Sequence, residues 1–497
     1  MRYAQTLPDS LARLPSMSFF SNKKFSLPPG SALPLLVAGA FFMENLDATV
    51  IVTALPQMAK DFGVHPVDMN IGVSAYILTL TVFIPASGWI ANRFGTRNVF
   101  SMALILFTLA SVLCSASVSL GTFTAARMLQ GFAGALMVPV GRLVVLKNTQ
   151  KSDLIRAIAT ITWPGLVAPI LGPPLGGFIT TYASWHWIFI LNVPLGVVAL
   201  LFARRLIPQL QGEKGVPFDV TGFVLTGIAC LGLIFGLDKF NEGNFDWKPF
   251  AMIGAALVAG ALAIWHSKRA AYPLLPLVAL NIKSYAVTIY GGSLFRVAIG
   301  ALPFLLPLMF QLAYGMSAFD AGLLVLSVFA GNLAMKPFTS AILHRFRFKS
   351  IMLVNGLLNS VTIFACALLT PQVPTALTLL LLFASGMTRS MQFTALNTLA
   401  FSQVPAGQMS GANTLFNTAQ QLSTGLGIAI GALSLRIAGH FLPARETLQT
   451  DTFHIAFIII GLFSLAGTLD SLTLDKTAGD EIRRKKESVP RPAVPEK

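Results

Sequence analysis

Charged residues are scarce in this chain. Asp, Glu, Lys and Arg make up 11% of its 497 residues, while 54% of the residues are hydrophobic. An average soluble domain carries about 25% charged residues, and the mean hydropathy of this chain is +0.71. These values exclude an ordinary soluble protein. They predict an all-α polytopic membrane protein.

Signatures of enzymes and of bound cofactors are also missing. The sequence has no Gly-x-x-x-x-Gly-Lys-Ser/Thr loop for ATP, and its six histidines form no ligand pair. Its three cysteines, Cys114, Cys230 and Cys366, lie far apart in apolar segments. That placement favours inert core residues over a disulfide or a metal site. We therefore expect no enzyme activity, no metal and no cofactor.

Apolar segments recur along the chain at the length that crosses a bilayer, which is about twenty residues. Residues 1–30 contain basic residues but no such segment, so they predict a polar N-terminal tail and not a cleaved signal peptide. We expect fourteen membrane-spanning helices, at residues 33–55, 70–91, 98–119, 122–146, 155–181, 185–203, 219–237, 249–267, 284–311, 318–340, 350–370, 375–398, 409–437 and 452–474.

The net charge of +15 is distributed unevenly. One set of connections, together with both termini, contains 25 of the 35 Lys and Arg residues, and the other set contains five. Basic connections stay in the cytoplasm. This division predicts a multi-pass protein of the bacterial inner membrane with cytoplasmic tails at 1–30 and 475–497. The basic residues form no stripe that fits a duplex, so we expect no nucleic-acid partner.

Two short basic turns repeat within the chain. Residues 92–97 (NRFGTR) follow the second predicted span, and residues 344–349 (HRFRFK) follow the tenth. The repeat fits two six-helix halves, an arrangement known in secondary transporters. We expect an N-terminal half at 31–203, a linker with two extra membrane helices at 204–283, and a C-terminal half at 284–474.

The first span carries two carboxylates, Glu44 and Asp47. Their spacing places them on one helical face. A carboxylate at bilayer depth costs roughly 2.5–3.5 kcal/mol, so this face has to meet water, protein or a cation. We expect Asp47 to carry a proton in a watery crevice, with Arg127 of the fourth span as the nearby cation. Alternatively, Asp47 only joins the first span to the fourth, and Glu44 is either a coupling group or polar lining.

Four more cations interrupt later spans, at Arg142, Arg296, Lys336 and Arg389. Buried unpaired cations are expensive. We expect Arg296 and Arg389 to face a substrate cavity and to attract acidic or amphiphilic solutes, and we expect Lys336 to snorkel. Backbone carbonyl groups are the alternative partners. A polar stripe on the thirteenth span is expected to line the same cavity, through Asn413, Asn417 and Gln420.

Several short motifs occur in an order that is specific to one family. They lie at residues 46–56 (LDATVIVTALP), 88–97 (GWIANRFGTR), 127–131 (RMLQG), 165–177 (GLVAPILGPPLGG) and 185–194 (WHWIFILNVP). They resemble signatures of the major facilitator superfamily and, within it, of the fourteen-span drug:proton antiporters of EmrB/QacA type. Residues 137–142 and 183–187 are most similar to the MdtD-type proteins of that group.

The resemblance implies that two of these motifs take part in conformational change. Their candidate residues are Gly88, Asn92, Arg93, Gly95 and Arg97 in the first and Gly165, Pro169, Gly172, Pro173, Gly176 and Gly177 in the second. The small residues of the second motif also fit ordinary close packing, and its paired prolines favour a kink. Asn92 stands where the family usually has Asp, so a charged latch at this loop is in question.

The resemblance implies a proton-coupled exporter of drugs or other amphiphilic small molecules that works by alternating access. Two alternatives stay open: an exporter of one endogenous, acidic, siderophore-like metabolite, and a transport-dead sensor or scaffold. The expected partners are a small-molecule substrate, protons and the lipid bilayer. Some relatives work with a periplasmic adaptor, but no residue of this chain indicates one.

Overall fold

The computed structural model describes residues 32–65, 68–209, 212, 215–241, 247–441 and 450–483. Within these ranges the chain is built from helices and contains no strand. The predicted N-terminal tail, and residues 484–497 of the predicted C-terminal tail, lie outside the described residues.

Fourteen long helical stretches fall on the fourteen predicted spans, and we number them α1 to α14. The first six are α1 (Ala32–Val50), α2 (Asn70–Phe83, Ile84–Ala86 and Ser87–Phe94), α3 (Thr96–Ser115), α4 (Leu120–Asn148), α5 (Leu154–Thr162 and Pro164–Tyr182) and α6 (His186–Ile190 and Asn192–Leu206). The next two are α7 (Val220–Asn241) and α8 (Trp247–Arg269). The last six are α9 (Lys283–Leu308), α10 (Ala318–Arg345), α11 (Phe348–Cys366), α12 (Thr375–Ser402), α13 (Met409–Phe441) and α14 (Thr450–Asp470).

Thirteen of these stretches are both long and apolar enough to cross a membrane. The exception is α12, which has 28 residues and is therefore long enough, but carries Arg389, Gln392 and Asn397. The last two side chains are buried, and α12 packs against α9, α10 and α11. Gln392 and Asn397 thus face protein and not lipid. For this reason, hydropathy alone does not identify α12 as a membrane span.

The helices pack into two groups. α1 contacts α4, α5 and α6, and α4 also contacts α2 and α3; we call α1–α6 the N-terminal group. α9 contacts α12, α13 and α14, while α10 and α11 pack on α12; we call α9–α14 the C-terminal group. α7 and α8 pair with each other as a hairpin, and α7 touches α2 and α13. The hairpin therefore lies beside the boundary between the two groups.

Asp219, which immediately precedes α7, fixes this hairpin. Its carboxylate accepts hydrogen bonds from the backbone N–H groups of Gly222 at 2.8 Å and Leu274 at 3.0 Å, and lies 2.7 Å from Nε2 of His266. Burial alone raises the pKa of Asp219, but these hydrogen bonds and the nearby imidazole outweigh it and hold the pKa below its ordinary value. The charged carboxylate therefore caps α7 and joins it to α8.

A glycine makes the turn after α2, and the break in α5 lies elsewhere than the sequence predicts. Gly95 has a φ of +83°, a conformation that favours glycine, and it separates α2 from α3. In α5 the helix is interrupted at Trp163 and restarts at Pro164, and it then continues through Pro173. The interruption thus lies ahead of the proline pair expected to favour a kink. Proline is well tolerated at the first position of a helix, which explains the restart at Pro164.

Within the described ranges, four hydrogen bonds cross the boundary between the two groups. They join Ser410 Oγ to the Gly88 carbonyl at 3.4 Å, Asn413 Nδ2 to the Pro139 carbonyl at 2.9 Å, Arg142 Nη1 to Gln420 Oε1 at 3.5 Å, and Lys336 Nζ to Thr162 Oγ1 at 3.1 Å. All four lie in the same half of the bundle. An exposed ion pair of 3.0 Å between Lys151 and Glu481 lies at that end as well. We call this the closed end.

Candidate functional site

Asp47 is the centre of a hydrogen-bonded cluster inside the N-terminal group. Its Oδ2 lies 2.7 Å from Nη1 of Arg127 in α4. Its Oδ1 accepts hydrogen bonds from Gln130 Nε2 at 2.9 Å and from Asn192 Nδ2 at 2.7 Å. Both amides also donate to Ser111 Oγ, at 3.0 and 3.2 Å. Side chains of α1, α3, α4 and α6 therefore meet around one carboxylate.

Tyr76 of α2 connects the second carboxylate to this cluster. The guanidinium carbon of Arg127 lies 4.3 Å from the centroid of the Tyr76 ring, and the Tyr76 hydroxyl donates to Glu44 Oε1 at 3.4 Å. Glu44 Oε2 is buried and has no hydrogen-bond partner among the residues that the structure describes. An unpaired charged oxygen is expensive to bury. These surroundings therefore fit a neutral Glu44, whereas both oxygens of Asp47 have donors.

The cluster is closed to solvent. The side chains of Asp47 and Arg127 are both 0% exposed, and Glu44 is 9% exposed. The expectation that Asp47 lies in a watery crevice is therefore wrong for this conformation, since protein donors take the place of water. The structure does bring Arg127 next to Asp47, across the contact between α1 and α4.

This arrangement joins several helices through one carboxylate. Asp47 accepts N–H groups from three side chains, so both of its oxygens are already hydrogen-bonded. Arg127 also donates to Gln130, while its Nε and Nη2 have no partner within the described ranges. Arg127 therefore connects α4 to α1 through Asp47 and lies over the Tyr76 ring of α2.

A second cluster lies where α4 meets α9 and α13. The guanidinium carbons of Arg142 and Arg296 lie 5.3 and 4.6 Å from the centroid of the Phe416 ring. Arg296 Nη1 donates to the carbonyl of Thr288 at 3.1 Å. The two arginines are 3% and 1% exposed. The boundary between the two helix groups thus holds two buried cations.

The predicted polar stripe of α13 faces this boundary. Asn413 and Gln420 bond to residues of α4, as described above, and Asn417 Nδ2 donates to the Asn413 carbonyl at 2.7 Å. These residues and Arg296 gather in one region, where Arg296, Asn413 and Asn417 are buried and Gln420 is partly exposed. Arg389 is half-buried in α12 and forms no hydrogen bond or ion pair with the part of the chain described.

Lys336 does not snorkel. Its Nζ donates to Thr162 Oγ1 at 3.1 Å and to Thr394 Oγ1 at 3.0 Å. Its side chain therefore joins α5 of the N-terminal group to α10 and α12 of the C-terminal group. This contact adds to the closed end.

The residues of the loop motif have separate positions. A Cβ atom on Gly88 would overlap with Thr414 of α13, so the missing side chain permits close contact across the boundary. Gly95 makes the turn into α3. Asn92 lines a cavity beside the α7–α8 hairpin. The side chains of Arg93 and Arg97 make no hydrogen bond or ion pair within the described segments.

The small residues of α5 pack against α1. A Cβ atom on Gly172 would overlap with Thr49, and one on Gly176 would overlap with Thr53. Around Gly177 a Cβ atom would meet nothing within 4 Å. The motif therefore holds α5 against the helix that carries Asp47, and this contact lies within the N-terminal group. The remaining candidates in the same motif are Gly165, Pro169 and Pro173.

Sequence reasoning assigned no role to five side chains of these clusters. They are Tyr76, Ser111, Gln130, Asn192 and Phe416. Four of them are polar residues inside apolar spans, and this placement could have marked them as candidates. Asn192 also falls within the motif at 185–194. Phe416 gives no such signal, because Phe occurs 38 times in the chain.

A cavity of about 1130 Å³ lies apart from both clusters. Its lining includes Asn92, Asp219, Lys268 and Tyr290, from α2, the hairpin and α9. It contains neither Asp47 nor Arg296. The segments that the structure describes also hold no group of three or more His, Cys, Asp or Glu side chains that suits a metal ion.

The fold and the buried clusters define a multi-pass helical membrane protein in which two groups of spans meet around charged side chains. Residues 37–428 match the model of the Major Facilitator Superfamily. The chain belongs to this superfamily, which makes it a transporter protein. The resemblance inferred from the motifs is confirmed.

Several named proteins are similar to the chain. It is 36% identical over 427 residues to the MdtD protein of Yersinia enterocolitica, whose name marks it as a candidate multidrug resistance protein, with 85% of this chain and 90% of the relative covered. The MdtD protein of Pectobacterium carotovorum is 35% identical over 452 residues, with coverage of 90% and 96%.

Solved structures show the same fold. The proton:xylose symporter XylE has a TM-score of 0.63 at 14% identity, with 90% of this chain and 97% of that chain covered. The human organic anion transporter MFSD10 has a TM-score of 0.62 at 16% identity, with coverage of 90% and 100%.

Proposed function

We propose that this chain is a proton-coupled exporter of drugs or other amphiphilic small molecules that works by alternating access. The observation that carries the proposal is the buried Asp47–Arg127 ion pair, because a proton on Asp47 would remove the charge that attracts Arg127 and so weaken the contact between α1 and α4. Membership of a transporter superfamily and the names of the MdtD relatives support it.

Two six-helix halves, at 31–203 and 284–474, would rock against each other, with 204–283 as a peripheral insert. The packing of α1–α6 and of α9–α14 supports this division. Gly88 and Gly95 serve the movement at the boundary and at the α2–α3 turn, and the glycines of α5 transmit it to α1. Arg93, Arg97 and Asn92 complete the loop that follows α2.

The location follows from the charge distribution and from the bacterial relatives. We place the protein in the inner membrane with both termini in the cytoplasm, so the closed end is the cytoplasmic end. In this proposal the closed cytoplasmic end belongs to an outward-facing state, and Asp47 takes up a proton when the cluster around it opens. Protonation releases Arg127, and the return to the inward-facing state delivers that proton to the cytoplasm.

The driving energy is sufficient for uphill transport. Each unit of pH difference supplies about 1.36 kcal/mol per proton, and each 100 mV supplies about 2.3 kcal/mol per charge. Binding of substrate in the inward-facing state favours the charged form of Asp47, so substrate and proton exchange for each other.

Everted membrane vesicles from a pump-deficient host test the proposal. We expect energised vesicles that contain the protein to accumulate ethidium, and an uncoupler to abolish the accumulation. A transport-dead sensor or scaffold would show no flux of ethidium or protons. An exporter of a single endogenous metabolite would ignore ethidium but carry protons when that metabolite is supplied.

A further inference from the structure

We propose that Arg296 and Arg142 form a binding site for the carboxylate of an organic anion, which would place acidic amphiphiles among the substrates. The transport part of this inference rests on the proposed function. The binding part rests only on the geometry at the boundary between the two helix groups.

The two cations belong to opposite groups and share one aromatic ring. Arg142 comes from α4, whereas Arg296 and Phe416 come from α9 and α13. Their guanidinium carbons are less than about 10 Å apart, because they lie 5.3 and 4.6 Å from the same ring centroid. One small anion can therefore interact with both charges.

No carboxylate balances these charges. Arg127 has Asp47 as its partner at 2.7 Å, but neither Arg142 nor Arg296 forms an ion pair with any acid in the described part of the chain. The side-chain oxygen bonded to Arg142 is the neutral amide oxygen of Gln420. Two buried cations with neutral partners are costly, and an incoming anion would remove much of that cost.

The unpartnered atoms of Arg296 match a carboxylate. Nη1 is occupied by the Thr288 carbonyl, whereas Nε and Nη2 are buried without a partner in the segments described. Nε–H and Nη2–H lie along one edge of the guanidinium plane, and this edge binds the two oxygens of a carboxylate in parallel. Nε of Arg142 is likewise buried and unpartnered, so it offers a further donor.

The neighbouring residues define the rest of the ligand. The Phe416 ring and the apolar spans suit an aromatic or aliphatic body, and the amides of Asn413 and Asn417 suit added polar groups. Because the site takes one arginine from each group, an anion held by Arg296 would attract Arg142 as the closed end forms. The ligand class is therefore an amphiphile with one carboxylate.

The test uses two probes of the same shape and opposite charge, 2-naphthoate and 2-naphthylmethylammonium. Their binding to the purified full-length protein in a neutral detergent is measured by equilibrium dialysis. Arg296→Gln and Arg142→Gln each remove a cation, and Arg296→Lys keeps the charge but loses the paired donors. Lys283→Gln is the control on the same helix, where the side chain is exposed and 3.5 Å from Asp475.

We expect the wild type and Lys283→Gln to bind naphthoate equally well. Arg296→Gln should weaken naphthoate binding on the order of tenfold or more, since it removes a charged bidentate contact, and should leave binding of the ammonium probe unchanged. Arg296→Lys should retain an intermediate affinity, and Arg142→Gln should act in the same direction as Arg296→Gln.

Failure of the wild type to bind naphthoate would overturn the proposal. So would equal weakening of both probes by Arg296→Gln and Arg142→Gln in protein whose thermal unfolding is unchanged, because such a loss is not specific to charge. Equilibrium binding needs no proton gradient. If vesicles fail to pump ethidium while naphthoate binding depends on Arg296, the transport function fails and the anion site stands.

Discussion

Variants of the Asp47–Arg127 pair can distinguish an effect on transport from an effect on stability. Asp47→Asn leaves Arg127 buried without a counter-charge, and it deprives Gln130 and Asn192 of a charged acceptor. Removing one member of a buried ion pair costs about 3–5 kcal/mol. We expect the variant to lose stability of that size and to lose proton-driven export.

The double variant Asp47→Asn/Arg127→Gln distinguishes the two effects. It removes both charges, so most of the lost stability should return. Proton coupling should not return, because an amide does not take up a proton in this pH range. Exchange of one proton against a pH difference of one unit supports a substrate ratio of up to about tenfold. In both variants we expect this ratio to fall to one.

The assay is accumulation of a fluorescent substrate in everted vesicles with an imposed pH difference and no membrane potential. Asp61→Asn is the control, because Asp61 also belongs to the α1–α6 region and accepts a hydrogen bond from Trp185 at 2.7 Å, but lies outside the cluster. A double variant that still reached the tenfold ratio would refute a proton-carrying role. Asp47 would then only join α1 to α4.

Three further predictions concern single residues. Glu44→Gln should change the free energy of unfolding by less than about 1 kcal/mol, since Glu44 Oε2 has no partner to lose; a loss like that of Asp47→Asn would contradict a neutral Glu44. Gly88→Ala should block export at normal expression, and adding Thr414→Ala should restore part of the export. Without such a rescue, the close contact between Gly88 and Thr414 would not be what limits export. Asp219→Asn should cost about 1–3 kcal/mol near neutral pH. Because the pKa of Asp219 is lowered, this contribution is present above its unfolded pKa. The difference between wild type and variant in thermal unfolding should therefore shrink as the pH falls through the folded pKa.

The sequence was sufficient to predict the helices and the carboxylates of α1, because length and hydropathy are local properties. It was sufficient to predict Arg127 beside Asp47, but not the other partners. Asp47 meets Asn192 across 145 positions of the chain, and helical periodicity does not tell which face of one helix meets which face of another. Lys336 shows the same limit: a lysine near a helix end has the pattern of a snorkelling residue until the hydroxyl groups of α5 and α12 are placed beside it.

The position of Arg389 shows a different limit. Its place in a polar helix suggested membership of the cavity, together with Arg296. In the structure Arg389 is half-buried and forms no hydrogen bond or ion pair within the described residues, whereas Arg296 is buried beside Phe416. A charged residue inside a span is predicted to have a polar or charged partner. The tertiary packing decides which residue that partner is.

The hydrogen bonds described at the closed end are weak. A hydrogen bond contributes about 0.5–1.5 kcal/mol net to stability, so the four that cross the boundary hold it with only a few kcal/mol. One proton that moves down a pH unit and 100 mV releases about 4 kcal/mol. The free energy of these four hydrogen bonds and the free energy released by one proton are thus similar in size. If the protein is proton-coupled as proposed, one proton per turnover would offset these four hydrogen bonds.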